Sequence, residues 1–167
     1  MVKLLYIANL RLPTDKAHGV QIMKSCEAFA QFVEVELLVP RLTPLLKKDP
    51  FSYYGVRKDF TIKKVPVFEI LALTRWVWGR VGYIQSFSFS VSAILYLFFK
   101  KKMRDPNTIL YSRDYTTLFI LALLGAHPVA EVHDYRSKNP KRRINFILKR
   151  CGNIIVNSEG TLEALRN

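Results

Sequence analysis

Six short apolar runs spaced along the chain, with helical stretches between most of them, constrain this sequence more than any other feature. They are Lys3 to Ala8, Val33 to Val39, Phe60 to Val67, Thr108 to Ser112, Val129 to Val132 and Asn153 to Asn157. Each is too short to be a buried helix and rich enough in Val, Ile, Leu and Tyr to be a strand. After the first run, a loop carrying Pro13, Thr14 and Asp15 leads to Gly19, from which Ile22, Cys26, Phe29, Ala30 and Val33 recur at helical spacing. Late in the chain, Asn139 and Pro140 read as an N-cap with proline at the first helical position; Ile144, Ile147, Leu148 and Cys151 then line one face, and Gly152 ends the helix. Strands that alternate with helices pair in parallel. The expected fold is therefore α/β, with a doubly wound, mostly parallel Rossmann-like sheet and helices on both faces.

Two segments stand outside that rhythm. Arg41 to Phe60 reads as irregular, broken by Pro44, Pro50 and Gly55, with Tyr53 and Tyr54 packing it on the core. Val81 to Phe99 carries no charge and is flanked by Arg80 and Lys100. Its length could cross a bilayer, but Gln85, Ser86, Ser88, Ser90 and Ser92 crowd its first half, and the expectation is a buried helix.

At 167 residues the chain is long enough to bury one full core without staples. Its two cysteines, Cys26 and Cys151, supply no disulfide framework and read as small hydrophobes in a reducing compartment. Met1 to Leu10 lacks both the sustained apolar core and the small-residue cleavage site of a secretory signal, so the expected location is the cytoplasm. The net charge of +13 implies a polyanionic partner: nucleic acid, anionic lipid or a phosphorylated substrate. Seven cations and no carboxylate fall between Tyr135 and Ser158, which is either a solvated helix face or a binding surface that includes Arg142 and Arg143. Trp76 and Trp78, beside Arg75 and Arg80, read either as an interfacial patch of aromatics and cations or as core residues. A nucleic-acid binder is the rival class, but no aromatic stacking surface interleaves with the basic helix. A dinucleotide module is disfavoured because G-x-G-x-x-G is missing after the first strand.

Chemistry in an open parallel sheet gathers at the carboxyl ends of the strands. There the run Pro128 to Asp134, PVAEVHD, ends in His133 and Asp134, either a ligand-facing pair or a satisfied loop histidine. Arg113 and Asp114 follow the fourth strand and could serve a substrate or bridge two loops. No Ser-His-Asp set, paired carboxylates or Cys/His cluster is evident; His18, His127 and His133 are scattered, and neither a metal nor a cofactor is expected.

The stretches from Leu4 to Ala30, Asp49 to Val56 (DPFSYYGV), Tyr111 to Asp114 (YSRD), Val129 to Asp134 (VAEVHD) and Ile154 to Leu165 (IIVNSEGTLEAL) together resemble the amino-terminal domain of group 1 glycosyltransferases, the retaining family 4 enzymes built from two Rossmann-like domains. The resemblance covers essentially the whole chain. It implies that residues 1–167 form the acceptor-side domain, and that a carboxyl-terminal domain or partner subunit carrying the nucleotide site is absent from this chain. It also implies a hexosyltransferase-like enzyme inactive as the isolated domain, whose substrate is a nucleotide sugar. The positive charge, the Trp76 and Trp78 patch and the basic helix from Lys141 to Arg150 suggest that the acceptor, a sugar or a lipid-linked molecule, is held at an anionic membrane surface.

By the same resemblance Gly19 matches the loop glycine that lets backbone amides approach the donor diphosphate, and His18, standing where many members have a second glycine, is a further candidate donor contact; an ordinary turn glycine is the alternative. His133 matches the histidine that looks toward the transferred sugar, with Asp134 orienting it or facing the acceptor. Ser158 and Glu159 match a Ser-Glu turn near the donor, where Glu159 also reads as a helix cap. Arg113 and Asp114 would lie on the acceptor side.

Overall fold

The first run becomes β1 (Lys3–Ile7), and the other five follow as β2 (Glu34–Pro40), β3 (Thr61–Val65), β4 (Thr108–Ser112), β5 (Val129–Val132) and β6 (Asn153–Val156) in a computed structural model that describes residues 2–44, 46–69, 78–133 and 141–166. The helices are α1 (Ala17–Phe29), α2 (Pro50–Tyr54), α3 (Trp78–Phe99), α4 (Tyr115–Leu123), α5 (Lys141–Leu148) and α6 (Glu159–Arg166). All strand pairs are parallel, in the order β3-β2-β1-β4-β5-β6. This is the doubly wound order, and its direction reverses between β1 and β4.

Strand alternation sorts the core into two layers. Leu4 and Tyr6 of β1 and Ala8 just after it join Val35, Leu37 and Val39 of β2 beneath Ile22, Met23 and Cys26 of α1 and Tyr54 of α2. Leu5, Ile7, Leu38 and Leu110 face the other way, against Phe89, Ala93 and Leu97 of α3 and Leu121 of α4. Ala130 and Val132 extend that second layer toward Leu118 of α4 and Ile147 and Leu148 of α5. Full burial of each such Leu, Ile or Phe contributes ~1.5–3 kcal/mol.

Several local readings are corrected. The segment read as irregular contains α2, for which Asp49 accepts a bond from the Ser52 amide, Pro50 occupies the first turn and Gly55 closes the end at φ 58°. That is the standard cap signature, and the closely spaced Pro44, Pro50 and Gly55 hid it. Helix α1 begins at Ala17, which puts Gly19 inside its first turn rather than in a loop. The third strand is shorter than Phe60 to Val67, running only Thr61–Val65.

The uncharged segment is helical but not buried throughout. Phe89, Ala93 and Leu97 face the sheet and Ser90 is buried against Thr117 of α4, whereas Phe87 and Phe98 are 59 % and 64 % exposed. Periodicity could not show this, because apolar and polar residues are spread around α3 without one dominant face. The Asn139–Pro140 cap and Asp134 lie outside the described residues, as does Trp76; of Trp78 only its place at the start of α3 is described.

Candidate functional site

A cleft of about 220 Å³ opens at the carboxyl ends of β1 and β4, where the strand order reverses. Ala8, Asn9 and Leu10 line one wall as the chain leaves β1, Arg113 and Asp114 form the other as it leaves β4, and His18 and Ile22 of α1 close the top. The topology alone fixes this place. Two adjacent parallel strands whose connections depart to opposite faces leave a gap between the following loops, and ligands of such sheets bind there.

His18, Arg113 and Asp114, far apart in sequence, are thus brought together. Burial, followed by the nearby positive charges of Arg113 and Lys16, lowers the His18 pKa below its ordinary value and so favours the neutral imidazole. A neutral ring offers one donor and one acceptor. Arg113 donates from Nη1 to Gln21 Oε1 at 3.2 Å. Asp114 has a structural duty as the N-cap of α4, accepting from the Thr117 amide at 2.9 Å and the Thr117 hydroxyl at 2.7 Å through Oδ2.

Beside the cleft, on the α1 face of the sheet, lies a buried polar cluster that sequence reading missed. Tyr6 and Tyr111 are register partners on β1 and β4, their rings edge to face at 4.6 Å. One strand further on, Glu131 of β5 accepts from the Tyr6 hydroxyl at 2.6 Å and also bonds Tyr111. Burial raises the Glu131 pKa, but the Tyr6 and His133 partners more than reverse that, holding the carboxyl below its ordinary range. An acid in an otherwise apolar strand was the available signal, since a carboxylate is buried only where donors meet it.

His133 follows at the end of β5. Its Nε2 meets Glu131 Oε1, and its Nδ1 lies 3.2 Å from Asn157 Nδ2 at the end of β6. Both ring nitrogens therefore have partners within the chain, and a sugar hydroxyl would reach this ring only by exchanging one of them. Arg113 links the cluster to the cleft, since its charge bears on His18 and on Tyr6 and Tyr111 alike.

Gly19 is buried and is not among the residues that line the cleft. A Cβ there would lie 2.5 Å from the Tyr54 hydroxyl and 2.7 Å from Thr14 Cγ2. That hydroxyl accepts from the Thr14 amide at 2.7 Å and donates to the Thr14 carbonyl at 2.8 Å, so the missing side chain makes room for a tie between the first loop and α2. Capping of α6 falls to Ser158, whose Oγ accepts from the Thr161 amide at 3.3 Å, while Glu159 occupies the first turn; this corrects the reading of Glu159 as the cap. Neither lines the cleft, although both follow Asn157. Arg142 is exposed on α5, and Arg143 is described only by its place in that helix.

Among the described residues, no group of His, Cys, Asp and Glu side chains could hold a metal ion, and no helix is long and apolar enough to cross a membrane.

No protein-family model matches the sequence, and no curated protein does. Solved structures match the fold. UGT2 of Phytolacca americana in its apo form has a TM-score of 0.60 at 14 % identity, covering 99 % of this chain and 48 % of that one. The same protein complexed with UDP-2fluoro-glucose and pterostilbene has a TM-score of 0.60 at 13 % identity, with 99 % and 50 % covered. A UDP-glucosyltransferase from Polygonum tinctorium capable of glucosylating indoxyl, in a complex with 3,4-dichloroaniline, has a TM-score of 0.58 at 11 % identity, with 99 % and 48 % covered. The chain spans about half the length of these structures. It has the Rossmann-like α/β fold that forms half of a glycosyltransferase of this architecture.

Proposed function

We propose that this chain is the acceptor-side half of a glycosyltransferase that moves a sugar from a nucleotide-sugar donor to an acceptor hydroxyl, with a second Rossmann-like lobe or subunit holding most of the donor. The observation that carries this reading is the cleft at the β1/β4 switch point, lined by His18, Arg113 and Asp114, in a chain that matches half of a UDP-glucosyltransferase over nearly its whole length. One of the matched structures holds a UDP-sugar, which supports a nucleotide sugar as the donor.

In such a reaction the acceptor oxygen bonds to the anomeric carbon as the bond to the diphosphate oxygen breaks, and the hydroxyl proton must leave. A neutral His18 at the cleft is suited to take it, and positioned bases of this kind contribute roughly 10²–10⁴-fold. Arg113 supplies positive charge toward the departing diphosphate, where preorganised electrostatics matter most. Glu131, Tyr6 and Tyr111 form the buried cluster beside the cleft, and His133 ties the ends of β5 and β6. Under the family 4 resemblance the product keeps the donor's anomeric configuration, and His133 exchanges Asn157 for a sugar hydroxyl. With His18 as base, direct displacement inverts the configuration. The anomeric coupling constant of the product distinguishes the two.

The acceptor we propose is lipid-linked or held at an anionic membrane surface, a reading supported by the charge of +13 and by the cations of α5. The enzyme would then work at the inner face of the membrane. Transfer from labelled nucleotide sugars is assayed with this chain and its second lobe. His18→Ala is expected to lower the rate about 100-fold or more without changing the circular dichroism spectrum. Undiminished transfer by that variant removes the base assignment, and the lack of transfer from every nucleotide sugar removes the function.

A further inference from the structure

Helix α3 carries an exposed apolar stripe. Ile84, Phe87, Val91, Leu95 and Phe98 recur at spacings of three and four residues, so they share one side of the helix, and all five are exposed. From Ile84 to Phe98 the stripe runs roughly 21 Å at the α-helical rise. Tyr83 and Phe99 are exposed at its two ends, and Phe119 and Leu123 expose further apolar surface on α4, which packs beside α3. At roughly 200 Å² per ring side chain, Phe87, Phe98 and Phe99, exposed by 59, 64 and 76 %, present about 400 Å² before the aliphatic residues are added. That already reaches the size at which an apolar patch marks an interaction surface.

The charges around the patch say what covers it. Helices α3, α4 and α5 cover the same side of the sheet and contain no Asp or Glu. Lys100 and Lys101 are exposed at the end of α3, and Arg142, Lys149 and Arg150 are exposed on or just after α5, the Arg150 guanidinium lying 3.8 Å from the centre of the Phe146 ring. The Phe146 ring in turn lies 5.7 Å from Phe119 of α4, so the cationic border is continuous with the apolar surface. An apolar stripe bordered by long cationic side chains and free of carboxylates on its helices matches the interface of an anionic bilayer, where rings enter the acyl boundary and cations reach the head groups.

We propose that the α3–α4–α5 face docks this chain on an anionic lipid bilayer, with α3 lying in the plane of the interface. The inference deepens the membrane-surface reading above and rests on it, and it assigns the contact to α3 and α4. Asp114 both caps α4 and lines the cleft, so the docked face adjoins the cleft, and a lipid-anchored acceptor reaches the cleft without leaving the membrane.

Flotation with vesicles of three parts phosphatidylcholine to one part phosphatidylglycerol, against phosphatidylcholine alone, tests the docking. The protein is expected to float with the anionic vesicles, and Phe87→Asp/Leu95→Asp, at two exposed positions, to lower the bound fraction about tenfold or more. Replacing Arg142, Lys149 and Arg150 by Glu is expected to weaken binding and flatten its dependence on salt. Lack of flotation at low salt, or equal flotation of the aspartate variant, overturns the proposal. So does sedimentation equilibrium showing a dimer that those two substitutions dissociate, since the face would then join two copies of the chain. Transfer to a soluble acceptor is expected to be unchanged in the aspartate variant, so loss of docking and loss of sugar transfer are read separately.

Discussion

The Glu131 carboxylate faces the His133 ring across the end of β5, on the same side of the sheet, and Oε1 meets Nε2. The alternation of strand side chains puts these two residues on one face, and the other carboxylate oxygen, Oε2, takes the Tyr6 hydroxyl at 2.6 Å. The histidine is therefore oriented from below by a buried acid and from the side by Asn157 of the next strand.

Removing that acid's charge exposes its worth. Glu131→Gln is expected to lower stability in urea by about 1–3 kcal/mol near neutral pH, because the donors around it lose their ionic acceptor. Combined with Tyr6→Phe, the losses are expected to be non-additive by ~0.5 kcal/mol or more, as for residues in one network. Simple additivity would contradict the cluster.

A second buried acid makes stability depend on pH. Burial pushes the Glu36 carboxyl up, but Lys3, Tyr96 and Lys102 more than reverse this and bring its pKa down to about 2. The folded state therefore favours the ionised form. Its contribution is fully present above the ordinary carboxylate pKa and is lost as pH falls from there toward 2. Unfolding measured from about pH 7 down to about pH 3 is expected to lose up to roughly 2–3 kcal/mol from this group, and Glu36→Gln to remove that part of the slope. A slope unchanged in the variant contradicts the assignment.

At Gly19 the prediction concerns shape. Ala there puts its methyl 2.5 Å from the Tyr54 hydroxyl and 2.7 Å from Thr14 Cγ2, an overpacking that costs about 1–3 kcal/mol. Tyr54→Phe and Thr14→Ser remove those two atoms. Thermal melts of the triple variant are expected to show a smaller loss than the sum of the parts, whereas a summed loss argues that the close approach is not the cause.

Asp114 allows capping and chemistry to be separated. Asn caps a helix about as well as Asp, so Asp114→Asn is expected to keep stability within about 0.5 kcal/mol, while Asp114→Ala loses about 1 kcal/mol. A carboxylate that acts in the cleft makes transfer fall in both variants. If Asp114→Asn retains full transfer, the residue is a cap alone.

Strand number, the parallel sheet and most helix positions were legible in the sequence, because short runs such as Thr108–Ser112 and Val129–Val132 carry their signal in adjacent residues, and local composition suffices to read it. Helix α2 was legible too, in Asp49, Pro50 and Gly55, but three prolines and glycines close together mimic a loop. The functional residues divided differently. His18, Arg113 and Asp114 each stood out as candidates, yet only the strand order β3-β2-β1-β4-β5-β6 sets β1 beside β4 and so makes them one cleft. Which face a side chain takes, whether Gly19 borders a ligand or Tyr54, and which side of α3 is left in solvent all depend on contacts between residues far apart in the chain. Strand pairing decides those contacts, and periodicity along a single element holds no record of it.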